Sequence, residues 1–140
     1  MEDIESNINY LAILVATALS MVIGAAWYSQ LMFVKPWMKL IGKTEFQGDT
    51  SNLPQLLVIT AIANLITAYV LALALSYTQS QGLIEGALLG FWLWVGFVAT
   101  TSLPNYLFKG QSLQLYLIES SNHLVALVVM GAVLASWPLS

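Results

Sequence analysis

Cysteine and arginine are both missing from this chain of 140 residues, and charge of either sign is scarce. Without cysteine there is no disulfide framework and no thiolate metal site, so the redox compartment is not readable. Charged side chains make up 8% of the sequence, where a water-soluble domain carries about a quarter. That leaves too little polar surface to cover a soluble sphere. The net charge is −3 and the only cations are four lysines, which excludes a nucleic-acid partner because no basic patch can be assembled. What is abundant is apolar: 59% of residues are hydrophobic. The class implied is an all-α integral membrane protein, a four-helix bundle in a single transmembrane domain over 1–140.

A hydrocarbon core of about 30 Å takes roughly 20 apolar helical residues at about 1.5 Å each. Four stretches meet that length: 8–29, 54–77, 83–103 and 113–136. The first two hold no charge, and Pro54 stands where proline is tolerated, in a first helical turn. The third carries Glu85 near its start and is read as stopping at the breaker Pro104-Asn105. The fourth holds Glu119 and His123 inside its apolar run and ends at Pro138. The runs are continuous and too long for barrel strands. Short links after spans two and three predict antiparallel neighbours, with two packed on three and three on four. The amino-terminal segment, Met1-Glu2-Asp3-Ile4-Glu5, lacks a basic region, so span one is expected to be retained and not cleaved as a signal peptide.

Lys35, Lys39 and Lys43 fall in loop one and Lys109 in loop three, which share one membrane face. The positive-inside rule makes that face cytoplasmic and leaves both termini outside. Around Pro36–Ile41 a short interfacial helix is expected, with Lys35, Lys39 and Lys43 at four-residue spacing and Phe33, Trp37, Leu40 and Ile41 apolar. Its lysines could reach lipid phosphates while Trp37 sits at headgroup level. It reads as an anionic-lipid contact, a docking surface, or simply an anchor that sets the depth of span one. Trp27, Tyr28, Tyr106 and Phe108 on this side, and Tyr10, Tyr77 and Trp137 on the other, read as aromatic belts.

Lipid gives helices no hydrophobic reason to associate, so small residues that let backbones approach have to supply one. Candidate packing residues are Ala12, Ala16, Ser20 and Gly24 in span one, and Asn64, Ala68, Ala72 and Ser76 in span two. Span three contributes Gly82, Gly86 and Gly90, and span four Gly131 and Ala135. Phe91, Trp92, Trp94 and Phe97 are bulky and must face lipid, a partner or a gap.

One segment, Glu119-Ser120-Ser121-Asn122-His123, could carry chemistry. Glu119 and His123 stand one turn apart on one face, with Asn122 beside them. Counted from Leu113, Glu119 lies about 9 Å deep and His123 about 15 Å, near the midplane. Asn64, Thr67 and Ser20 fall near that level on the neighbouring spans. An ionisable group there needs a partner or water. The group could relay protons or hold a coupling cation, contribute to a metal site, or act as an acid–base pair on a lipid-soluble substrate. Alternatively His123 bonds Glu119, with Asn64 or Ser20 closing a network that fixes helix register. No zinc-protease, nucleophile-elbow, phosphate-loop or C-x-x-C motif is present, and Thr100, Thr101 and Ser102 are expected to bond backbone carbonyls one turn back.

Several runs together resemble one catalogued family. They are Asn9-Tyr10-Leu11-Ala12, Gly24-Ala25-Ala26-Trp27-Tyr28-Ser29, Phe33 and Trp37-Met38-Lys39-Leu40-Ile41-Gly42, then Trp94-Val95-Gly96-Phe97-Val98, Asn105-Tyr106-Leu107-Phe108, Asn122-His123-Leu124-Val125 and Gly131-Ala132-Val133-Leu134. The chain is similar to the bacterial domain of unknown function 1761 family over nearly its whole length. The resemblance implies a four-span membrane protein and supplies no reaction, ligand or catalytic residue. The expectation is a non-enzymatic bundle with no cofactor, embedded in the lipid bilayer and acting through self-assembly or in a membrane complex. The alternative is a small proton- or cation-coupled transporter or channel using Glu119 and His123.

Overall fold

The structure is a computed structural model that describes residues 9–28, 34–40 and 53–137. All regular elements among them are helical. Span one is α1 (Tyr10–Trp27), followed by a short helix α2 (Val34–Leu40), and span two is α3 (Leu53–Tyr77). Span three comprises α4 (Leu83–Trp94), a π-helical turn (Val95–Ala99) and α5 (Thr100–Phe108); span four is α6 (Leu113–Ser136). Among the described residues four helical stretches are long and apolar enough to cross a membrane, the third being Leu83–Phe108. The protein is a multi-pass membrane protein with an all-α bundle fold.

Local chemistry sets the ends. The Asn9 side chain accepts the Ala12 N–H at 3.1 Å and caps α1, and the Ser112 hydroxyl accepts the Leu115 N–H at 3.0 Å and caps α6. Each satisfies a donor that an opening helical turn leaves without an intrahelical partner. The turn between spans two and three closes through Gln79 (φ 56°) and Gly82 (φ 91°), and Gly82 donates its N–H to the Ala135 carbonyl at 3.0 Å.

Span three is longer than its sequence suggests, because Pro104 lies inside α5 and does not end it. Three features absorb the disturbance. The helix widens upstream, where the Thr100 N–H bonds the Val95 carbonyl five residues back. Thr100 and Thr101 donate their hydroxyls to the Gly96 and Phe97 carbonyls at 2.9 and 2.7 Å, and the Tyr116 hydroxyl reaches the Ala99 carbonyl at 2.7 Å. A membrane helix tolerates proline where threonines, a neighbouring helix and a local π turn take up the backbone groups. The third loop therefore shrinks to Lys109–Ser112.

Span four is the axis. Ile13 and Ala16 of α1, Ala68, Leu71 and Leu75 of α3, and Ala126 and Met130 of α6 form the buried core. Span three packs on the other flank of α6 at backbone contact. A Cβ on Gly86 would overlap the Gly131 carbonyl, one on Gly90 the Leu127 carbonyl, and one on Gly131 the Gly86 carbonyl. Ala12 and Ala16 are buried, whereas a Cβ on Gly24 or Gly82 meets nothing within 4 Å. Gly24 and Gly82 thus depart from the packing role expected of them; Gly82 instead supplies a turn conformation and a backbone bond.

The expected packing of span two on span three also gives way to a different order. Around the bundle the spans run two, one, four, three, and the first and last of these barely touch. A short link makes consecutive helices antiparallel but does not choose their packing partners, and the glycine contact holds span three on span four instead.

Gly90→Leu should cost about 1–3 kcal/mol through overpacking, read as a lower unfolding midpoint in mixed micelles. Gly24→Ala should leave that midpoint unchanged or raise it slightly.

Candidate functional site

The six polar residues singled out in the sequence divide into two neighbourhoods. Ser20, Asn64, Thr67, Asn122 and His123 line a cavity of about 770 Å³ between spans two, three and four. Glu119, one turn towards the lysine-bearing end, does not line it and is held elsewhere.

Glu119 sits among aromatic donors. One carboxyl oxygen accepts the Tyr106 hydroxyl from α5, and the other accepts the Trp37 indole N–H from α2 at 3.3 Å. Around them Tyr28 packs on Trp37 with ring centroids 5.0 Å apart, and Tyr116 meets Tyr106 edge-on at 5.5 Å. Two more indoles bond the residues on either side: Trp27 donates to the Ile118 carbonyl and Trp94 to the Ser120 carbonyl, each at 2.9 Å. Three tryptophans from three different helices thus donate to three consecutive residues of α6. Trp27, Trp37 and Tyr106 point inward to protein acceptors and are not free belt residues at this end. Lys35 and Lys39 are exposed on α2 to either side of Trp37, while Lys43 lies outside the described residues.

The expected Glu119–His123 bond is absent among the described residues. Glu119 is engaged by Tyr106 and Trp37, and His123 faces the cavity with no hydrogen-bond partner there. The other half of the network does form: Ser20 donates to Asn64 Oδ1 at 2.7 Å, and Asn64 Nδ2 donates to the Thr60 carbonyl at 3.0 Å. Thr60 and Thr67 return their hydroxyls to the Leu56 and Ala63 carbonyls. Two of the cavity hydroxyls, those of Thr60 and Thr67, therefore donate to the backbone of their own helix. Among the described residues no group of three His, Cys, Asp or Glu could hold a metal ion.

Thr60 belongs to this cavity and was not singled out in the sequence, although Thr60, Asn64 and Thr67 share one face of α3 at helical spacing. The pairing of Trp94 with Ser120 had no sequence signal, since an indole bond to a carbonyl on another helix leaves no pattern in the chain.

A family model described as "Protein of unknown function (DUF1761)" matches residues 11–135. The chain belongs to the DUF1761 family. The match covers all four spans, the cavity and the Glu119 group. No curated protein and no solved structure matches the chain. The DUF1761 description carries no reaction or ligand, so the chemistry of the site rests on its geometry.

Two predictions follow from the aromatic cluster. Trp37→Phe and Tyr106→Phe each remove one bond to Glu119 and should lower unfolding free energy by about 0.5–1.5 kcal/mol. Glu119→Leu, which strands both donors, should cost more than either, as micelle unfolding titrations would show. Separately, burial and then the negative charge of Glu119 push the Tyr28 phenol up to about 12. An unfolded tyrosine ionises near pH 10, so the stability from neutral Tyr28 is complete below that pH and lost as pH rises through about 12. Tyr28→Phe should flatten the fall in melting temperature over that window.

Proposed function

We propose that this DUF1761 protein is a non-enzymatic bundle of a bacterial inner membrane, acting by association in the plane of the bilayer as an oligomer or as a subunit of a larger complex. The observation that carries the reading is the unclosed ring. Spans two and three stand apart, and the side chains between them include Asn64, Thr67, Asn122 and His123 at hydrocarbon depth. Polar groups facing lipid are costly until something covers them. The commitment of the hydroxyls to backbone carbonyls favours a binding role over a catalytic one. The glycine stripes speak less for association than their sequence implies, because Gly86, Gly90 and Gly131 are consumed inside one chain. In this reading the lysine-bearing end is cytoplasmic and both termini are outside.

A second reading has one observation in its favour. His123 in the cavity and Glu119 beneath the lysine-bearing end are one helical turn apart, a stepwise route for a proton or small cation. Here the two residues act in series, since they do not bond each other.

The chain has no cysteine, so single cysteines at Ile66 and Phe97 on the cleft rim can be compared with ones at Leu14 and Val22, all of them exposed. Association predicts intermolecular cross-links at the rim pair and a defined oligomer mass in mild detergents. A monomer in every detergent, with rim and control positions alike, would remove it. Flux in liposomes that falls in both Glu119→Gln and His123→Ala would instead establish the transporter reading.

A further inference from the structure

We infer that the cavity between spans two, three and four is a binding site for a neutral lipid-like amphiphile, with an uncharged hydroxyl- or carbonyl-bearing head at His123 and an alkyl or prenyl tail leaving towards the bilayer. The inference rests on the same gap as the association reading but does not need a second chain.

Size speaks first. The cavity measures about 770 Å³, within the range of about 300–1,000 Å³ typical of small-molecule sites. A membrane-crossing helix about 10 Å wide and 30 Å long occupies roughly 2,400 Å³, so a partner helix could cover the rim but not enter. The floor is buried and apolar, with Leu71 at 2% and Met130 at 1% exposure, while the rim is open to lipid, with Ile66 at 58% and Phe97 at 74%. A ligand therefore enters sideways from the hydrocarbon, which selects a molecule already dissolved in it.

Charge speaks second. No lysine, aspartate or glutamate lines the cavity among the described residues. A phosphate or ammonium head would be stripped of water with nothing to balance it, which low-dielectric surroundings penalise heavily. The head must be neutral. Hydrogen bonding speaks third. Ser20, Thr60, Asn64 and Thr67 already donate within the protein, whereas the His123 imidazole lies near the middle of α6 with no hydrogen-bond partner among the described residues. A neutral imidazole offers one donor and one acceptor, and an oxygen-bearing head satisfies either. Such heads occur on long-chain alcohols, acylglycerols and prenylated quinones.

The test is photolabelling of the full chain in nanodiscs of zwitterionic lipid, with tail-diazirine probes that share one chain length and differ in head: an alcohol, a phosphate monoester and a quaternary ammonium. Labelled peptides are mapped by mass spectrometry. The alcohol probe should label the cavity-facing segments of spans two and three at least fivefold more than either charged probe. Ala63→Trp, which fills the cavity from an exposed position on α3, should abolish that labelling while circular dichroism stays unchanged. His123→Leu, keeping the volume but losing the head partner, should reduce it at least fivefold. Competition with a diacylglycerol and with a short-chain prenylquinone tells which neutral head is preferred, and either preference supports the site. Equal labelling by all three heads, or labelling untouched by both substitutions, would overturn the inference, as would cross-links to a second copy from the cavity floor at Leu71 or Met130, as opposed to the rim. The association reading fails on a different result, a monomeric mass, so the two failures are distinguishable.

Discussion

Everything in this bundle hangs on the backbone contact between α4 and α6. Lipid provides no solvent-driven reason for helices to meet, so attraction comes from atoms close enough for dispersion and from polar bonds between helices. Gly86 and Gly90 on one side and Gly131 on the other have no side chain to hold the backbones apart. Because that contact consumes one flank of α6, spans one and two build the buried core on its other side, and span three is left attached along a single line. The gap between spans two and three follows from this one-sided attachment.

The indole bonds add direction to a contact that glycines alone would let slide. Trp27, Trp37 and Trp94 donate from three helices to positions 118, 119 and 120, and Tyr106 adds a second bond to Glu119. Each such bond is modest in a membrane, about 0.6 kcal/mol on average, but together they fix the rotation and depth of α6 at the lysine-bearing end. The short helix α2 is held down by the same device, since the Trp37 N–H reaches an acid side chain within the bundle. Glu119 thereby accepts two hydrogen bonds from within the bundle, and His123, further along α6, faces the cavity.

The spans, the helical class and the glycine spacing on spans three and four were legible in the sequence, because length, apolarity and four-residue spacing are properties of each helix by itself. What faces each helix was not legible. A helical wheel puts Glu119 and His123 on one face of α6, yet Tyr106 and Trp37 meet the first while the cavity meets the second. Aromatic residues near span ends suggest a lipid belt, and only the assembled bundle shows three of them turned inward. Pro104 suggests a helix end because local chain sterics say so; the π turn, Thr100, Thr101 and Tyr116 that permit it to continue are tertiary facts. Loop length gave the sense of neighbouring spans but not the order around the ring.

The opening between spans two and three is the claim on which the functional reading stands, and it can be measured directly. Nitroxides at Thr67 on span two and Val98 on span three, read by pulsed electron–electron dipolar spectroscopy in nanodiscs, report the width of the gap. A reference pair at Leu88 on span three and Val129 on span four brackets the glycine seam. The account predicts a clearly longer separation for the first pair than for the second, in single-copy discs. Equal separations, the signature of a ring closed with span two packed on span three, would contradict it.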